Sequence, residues 1–144
     1  MIIVQCEIYL QDYIVLVHSL LTITVPAVHF SAYGTTSELT NALRTCTPTK
    51  LFVHPSLLSN ALDAAKRISL SETHIYVLGG KIEGKTGFGD LVEFTRRRSI
   101  PRVLVKPARK DTLAYVTFSS GTTGLPKGEE YDVYDARTSD IVTQ

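Results

Sequence analysis

Lys50-Leu-Phe-Val-His-Pro-Ser-Leu-Leu-Ser-Asn-Ala-Leu-Asp-Ala-Ala-Lys-Arg67, followed by Ile75-Tyr-Val-Leu78, is the stretch that decides the fold class. Leu51, Phe52 and Val53 form a short apolar run with no polar alternation, the mark of a strand covered on both faces. His54-Pro55 ends it, and Pro55 suits the first position of a helix, where a missing N–H costs nothing. Leu57, Leu58, Ala61, Leu62 and Ala65 then recur at helical spacing, with Lys66 and Arg67 in the last turn, where the helix dipole favours cations. Ile75 to Leu78 is a second unalternating strand, and Gly79-Gly80 stops it. One buried strand, one amphipathic helix and another buried strand make a strand–helix–strand unit, which implies a parallel pair.

The same alternation extends outward. Ile14 to Val28 is nearly continuous apolar sequence, but it is interrupted by His18, Ser19, Thr22, Thr24 and Pro26 and falls short of the roughly 20 residues a membrane span needs. Glu7 and Asp12 stand where a signal peptide would carry cations. This run is expected to be a buried helix over about Tyr13–Leu21 leading into a strand over about Ile23–Val28. Thr35 and Glu38 have capping-box spacing, and Leu39, Ala42, Leu43 and Cys46 follow on one helical face until Pro48 closes the helix. A weaker helical pattern runs through Phe88, Leu91 and Val92, and a longer apolar strand runs from Leu113 to Phe118. The expected class is α/β, a largely parallel sheet with flanking helices.

Composition limits the function classes. The chain has 144 residues, 44% of them hydrophobic, with 15 basic and 14 acidic side chains and a net charge of +1. That is enough apolar material for one core and too little net charge to steer the whole molecule onto nucleic acid or an anionic membrane; any such partner would need a local patch. Cys6 and Cys46 are too few for a disulfide framework and sit in no metal spacing, so two small buried thiols are expected. His18, His29, His54 and His74 have no i, i+4 partner, so core or capping roles are expected and no metal site. Asp63 and Glu72 read as surface charges. Charge is nonetheless uneven: Arg96, Arg97, Arg98, Arg102, Lys106, Arg109 and Lys110 lie in fifteen positions without an acid, whereas the last sixteen residues hold five acids against Arg137 alone. The basic stretch contains Pro101 and Pro107 and no aromatic residue for base stacking, so it is expected to be a solvated connecting loop rather than a nucleic-acid site.

Between these two stretches lies Tyr115-Val-Thr-Phe-Ser-Ser-Gly-Thr-Thr-Gly-Leu-Pro-Lys-Gly128. A buried strand runs straight into small hydroxyl and glycine residues and then a lysine. Gly121 and Gly124 allow backbone amides to turn toward one anion, Ser119, Ser120, Thr122 and Thr123 add hydroxyl donors, and Lys127 adds a point charge. The spacing differs from a Walker A loop, since Lys127 is followed by Gly128 and preceded by Pro126. It also differs from the dinucleotide fingerprint, which Gly84-Lys-Thr-Gly-Phe-Gly89 fails to supply as well.

Ser119-Ser-Gly-Thr-Thr-Gly-Leu-Pro-Lys-Gly128 closely resembles the signature phosphate loop of the adenylate-forming superfamily, the AMP-dependent synthetases and ligases, over ten consecutive residues. Ser37-Glu-Leu-Thr-Asn-Ala-Leu-Arg44, Lys50 to Leu58, Ile75 to Leu78 and Asp111 to Phe118 are similar to the acyl-CoA synthetase and 4-coumarate–CoA ligase branch. The resemblance implies a partial AMP-binding domain over residues 12–128, a fragment of the family's large N-terminal domain. It implies ATP with Mg2+ and a carboxylic acid as partners, with CoA as co-substrate, and no catalytic residue or metal ligand is assigned. Ser119, Ser120, Gly121, Thr122, Thr123 and Gly124 would hold the β- and γ-phosphates, with Lys127 offsetting the charge of the leaving pyrophosphate.

After Gly128 the pattern departs. Residues 129–144 match nothing in the family, and they are expected to form a disordered acidic tail whose first acids repel phosphate. Phe30-Ser-Ala-Tyr-Gly34 replaces the family's usual Asn-Pro turn. The expectation is therefore an N-terminal fragment of an acid–CoA ligase, from a truncated gene or a misread exon boundary. Such a fragment would be inactive alone, and it would be aggregation-prone because Leu113–Phe118 would be left as an apolar edge strand. The alternative is a standalone ATP- or phosphate-binding or interaction module. The compartment is expected to be intracellular, with cytoplasm and peroxisome both open.

Overall fold

A computed structural model describes residues 1–5, 11–119 and 127–132, with backbone only at Ser119 and Lys127. The chain runs β1 (Ile2–Gln5), α1 (Gln11–Thr22), β2 (Ala27–Phe30), α2 (Thr36–Cys46), β3 (Lys50–Val53), a 3-10 turn (Pro55–Leu57), α3 (Leu58–Lys66), β4 (Ile75–Val77), α4 (Phe88–Arg97), β5 (Leu113–Ser119) and β6 (Lys127–Asp132). The strands form one sheet in the order β4-β3-β1-β2-β5-β6. The first five are parallel, and β6 returns antiparallel to β5.

The centre of this sheet is a strand that the periodicity did not show. Ile2 to Gln5 pairs with Ala27 to Phe30 on one side and with Lys50 to Val53 on the other. Its side chains alternate between two cores, so both must be apolar. Ile3 joins Val28, Leu51, Val116 and the inner faces of α2 and α3. Val4 joins Ala27, Phe52, and Leu16 and Leu20 of α1 on the opposite face. Phe88 and Leu91 of α4 pack against that second cluster. Helices therefore cover both faces, as the unalternating strands require.

Local signals account for much of the helical boundaries. Thr35 Oγ1 accepts the Glu38 backbone N–H at 3.2 Å, and the Glu38 carboxylate accepts the Thr35 N–H at 2.7 Å, a complete capping box. Those bonds hold the Glu38 carboxyl below its ordinary pKa. His54 caps the turn that opens at Pro55, its Nδ1 accepting the Ser56 N–H.

Three expectations are corrected. The strand after α1 begins at Ala27, because residues 23–26 form a turn: Ile23 and Val25 both donate to the Leu20 carbonyl, and Thr24 has φ 57°. The first helix is amphipathic rather than wholly buried, with Ile14 and Val15 about half exposed. Finally, Leu113–Ser119 is not an edge strand and the acidic stretch does not begin as a disordered tail, because Glu129–Asp132 belong to β6, which covers β5. Residues 133–144 lie outside the described residues. The opposite edge, β4, is partly covered too, since the Val77 N–H donates to the Thr86 carbonyl and Val77 bridges Gly87. Among the described residues no helix is long and apolar enough to cross a membrane.

If β1 is the central strand, truncating it removes contacts from the middle of the larger core. Ile3, with no exposed surface, should cost about 2–5 kcal/mol when changed to Ala, read as a lower urea midpoint with an unchanged slope. A shift within error of zero would show that the N-terminus does not occupy the sheet.

Candidate functional site

The described ends of the phosphate-loop sequence, Ser119 and Lys127, lie on the antiparallel strands β5 and β6. Phe118 pairs with Gly128 and Ser119 with Lys127, so the sheet itself closes the mouth of the loop. Ser120, Gly121, Thr122, Thr123 and Gly124 lie outside the described residues, as do the side chains of Ser119 and Lys127. Because β5 is parallel to β2, its last residue lies at the carboxyl edge of the sheet, together with the ends of β1 to β4. Ligand-binding loops of open parallel sheets gather at that edge.

Packing explains how the hairpin is held. A Cβ added to Gly128 would sit 3.3 Å from Val116 Cγ1 and 3.4 Å from Phe118 Cζ. Glycine at this position lets β6 lie close over two side chains of its partner. The Phe118 ring meets the Phe30 ring edge-on at 6.0 Å, and Gly34 leaves room for the Phe30 ring, which any side chain there would strike. Phe30 to Gly34, where the family's Asn-Pro turn is replaced, thus supports the strand that carries the loop.

On the other face of the sheet an aromatic row runs from α1 to β6. The Tyr13 hydroxyl lies 2.5 Å from His29 Nδ1, the Tyr115 ring meets the His29 ring at 5.4 Å, and Tyr131 stacks on Tyr115 at 5.1 Å. Burial holds the His29 imidazole below its ordinary pKa. The Tyr13 hydroxyl can donate or accept in this bond, according to which ring nitrogen of His29 carries the proton. Tyr131, which carried no signal in the sequence, is therefore an anchor for β6. It also donates to Glu129 at 3.1 Å.

The acids after the loop are set back by strand geometry. At about 3.4 Å per residue, Glu129 and Glu130 lie roughly 7 and 10 Å along β6 from Lys127. Cys46 is half-buried; desolvation first, and the Glu130 carboxylate second, raise its thiol pKa and so disfavour the thiolate. Cys6 lies outside the described residues. Glu72 forms an ion pair with Lys85 at 2.6 Å. Among the described residues no three His, Cys, Asp or Glu side chains converge to hold a metal ion.

The sequence profile of the AMP-binding enzyme family matches residues 10–131. The chain belongs to the AMP-binding enzyme family. The match includes most of β6, so the family region runs past the change of composition at Gly128. Solved structures agree on the fold. An anthranilate CoA ligase, AuaEII, crystallised with anthranoyl-AMP, superposes with a TM-score of 0.83 at 22% identity, over 99% of this chain and 27% of its own. The luciferase-like enzyme of the mealworm Zophobas morio gives 0.73 at 22% identity, over 92% and 30%. The A domain of the carboxylic acid reductase of Segniliparus rugosus, bound to AMP and a co-purified carboxylic acid, gives 0.69 at 21% identity, over 91% and 24%. The chain thus spans about a quarter of the length of these AMP-binding relatives. No curated protein sequence matches it.

Two outcomes test this construction. Gly128→Val should overpack the hairpin at a cost of about 1–3 kcal/mol and weaken any nucleotide binding, whereas Gly128→Ala should do less of both. A variant as stable as the parent would remove the packing argument. The His29 ring should make the fold acid-sensitive. Its folded pKa lies below the ordinary 6.5, so below that pH the unfolded chain takes up a proton that the native state refuses. Unfolding free energy should fall as pH drops below 6.5 until the folded pKa is reached. His29→Gln should flatten the decline, and an unchanged pH profile would count against it.

Proposed function

We propose that this chain is the phosphate-gripping part of an adenylate-forming unit, the kind that activates a carboxylic acid with ATP to an acyl-AMP and pyrophosphate. The carrying observation is the Ser119–Lys127 pairing, which brings the two ends of the family's phosphate loop together at the carboxyl edge of the sheet. In this reading Ser119, Ser120, Gly121, Thr122, Thr123 and Gly124 hold the β- and γ-phosphates through hydroxyls and backbone amides, and Lys127 offsets the charge that develops on pyrophosphate. The substrate carboxylate is itself the nucleophile, so the protein's part is positioning and charge stabilisation. Transfer of the acyl group to the thiol of CoA is the second half of the same proposal. Magnesium is assigned no protein ligand.

The later acid-pocket and adenine-contacting motifs of the family do not occur in these 144 residues, and the chain covers 27% of the anthranilate CoA ligase. We infer that the chain alone grips phosphate without completing the chemistry. The alternative reading is a nucleotide- or phosphate-binding module that keeps the loop without the chemistry. Equilibrium titration with ATP and magnesium separates the cases. Binding weakened roughly tenfold or more in Lys127→Ala is expected from loss of a charge-assisted phosphate contact, with pyrophosphate release from any carboxylate staying at the buffer rate. Equal affinity of the variant would overturn the loop assignment, and measurable turnover would overturn the inference of an incomplete catalyst.

A further inference from the structure

Every residue from Glu93 to Asp111 is exposed. This strap carries both the densest positive charge of the chain and a run of its largest exposed aliphatic side chains. Between Arg96 and Lys110 there are seven cations and no acid. Ile100, Val103, Leu104 and Val105 are 47%, 67%, 85% and 74% exposed. Three consecutive exposed aliphatic residues form a contiguous apolar surface, unlike the scattered single ones any protein shows.

Some of the charge is already used. Arg97 pairs with Glu93 at 2.7 Å, Arg109 pairs with Asp111 through two nitrogens at 3.0 and 3.1 Å, and Arg98 lies over the Phe94 ring. Arg96, Arg102 and Lys106 have no ion pair among the described residues, and the last two bracket Val103–Val105. The strap is tethered, with the Lys106 N–H donating to the Thr22 carbonyl at the end of α1 at 3.0 Å and the Arg109 N–H donating to Thr112 Oγ1 at 2.9 Å. It enters β5 at Leu113, the amino end of that strand, whereas the phosphate-loop sequence leaves at Ser119. A partner on the strap therefore leaves the loop edge of the sheet free.

We propose that this strap docks on an anionic lipid surface, with Val103–Val105 and Ile100 entering the headgroup boundary and Arg96, Arg102 and Lys106 meeting lipid phosphates and carboxylates. The charge is complementary to such a surface, and neither half of the signal suffices alone. Nucleic acid fits less well, because no aromatic residue between Arg96 and Lys110 could stack on a base and aliphatic side chains gain nothing from a phosphate backbone. A folded protein partner fits less well too. A groove selects an apolar face of fixed shape, whereas a fluid medium accommodates an exposed run that lies outside any helix or strand.

The test is co-sedimentation of the full chain with phosphatidylcholine vesicles, with and without about 30 mol % phosphatidylserine. The expected result is binding confined to the anionic vesicles and weakened by salt. Binding should fall roughly fivefold for each cation removed in Arg102→Ala and Lys106→Ala, and it should fall again in Leu104→Ser with Val105→Ser at unchanged charge. All four positions are exposed, and unchanged far-ultraviolet dichroism and melting would confirm that these variants fold. Equal binding to both vesicle types, or none to either, would overturn the proposal. Loss with the charge variants but not with the serine variants would overturn it as well, reducing the strap to a general polyanion contact. Capture of polyglutamate or DNA without vesicle binding would transfer the surface to a soluble partner and overturn the lipid assignment.

Discussion

Four residues at the N-terminus carry the arrangement of everything else. Among the described residues Ile2 to Gln5 is the strand bonded to both β2 and β3, so the two strand–helix units that follow meet through it. The chain reinforces this pairing at its ends, where the Ile2 N–H donates to the Pro26 carbonyl, the Thr49 N–H to the Met1 carbonyl, and the His54 N–H to the Gln5 carbonyl. Central placement means full desolvation on both faces, which suits Ile3 and Val4. It suits Gln5 less, since its side-chain amide is buried with no hydrogen-bond partner among the described residues.

The rest of the sheet hands that order outward to the hairpin. β2 supports β5, the Phe30 ring supports Phe118, and Tyr13, His29, Tyr115 and Tyr131 link the first helix to the last described strand on the opposite face. A phosphate loop needs its two ends fixed so that its amides can converge on an anion without further ordering. Gly128 holds the two strands together, since its missing side chain is what lets β6 close over Val116 and Phe118.

Legibility in the sequence followed the range of the interactions involved. The capping box at Thr35 and Glu38, the Pro55 start and the strand–helix–strand unit through Leu78 depend on neighbours a few residues apart, and the structure agrees with them. The loop from Ser119 to Gly128 was legible for a related reason, because its chemistry is concentrated in ten consecutive residues. The start of β2 was misplaced because an apolar run does not say where a turn falls; the bonds from Ile23 and Val25 back to Leu20 decide that. α1 was read as buried all round because its outer side is also apolar, although only Leu16 and Leu20 reach the core.

The sequence by itself determined the class, the helix starts and the family, since each rests on local propensity, spacing or a contiguous motif. Only the tertiary structure decided that Ile2–Gln5 is the centre of the sheet and that the acidic stretch begins as a strand. Three apolar residues and a glutamine near a terminus and a run of acids around one tyrosine carry no periodicity of their own. Their conformation is set by partners 25 and 48 residues away for β1 and by the antiparallel register with β5 for β6. Hydrogen bonds at that separation exist only once the sheet has formed.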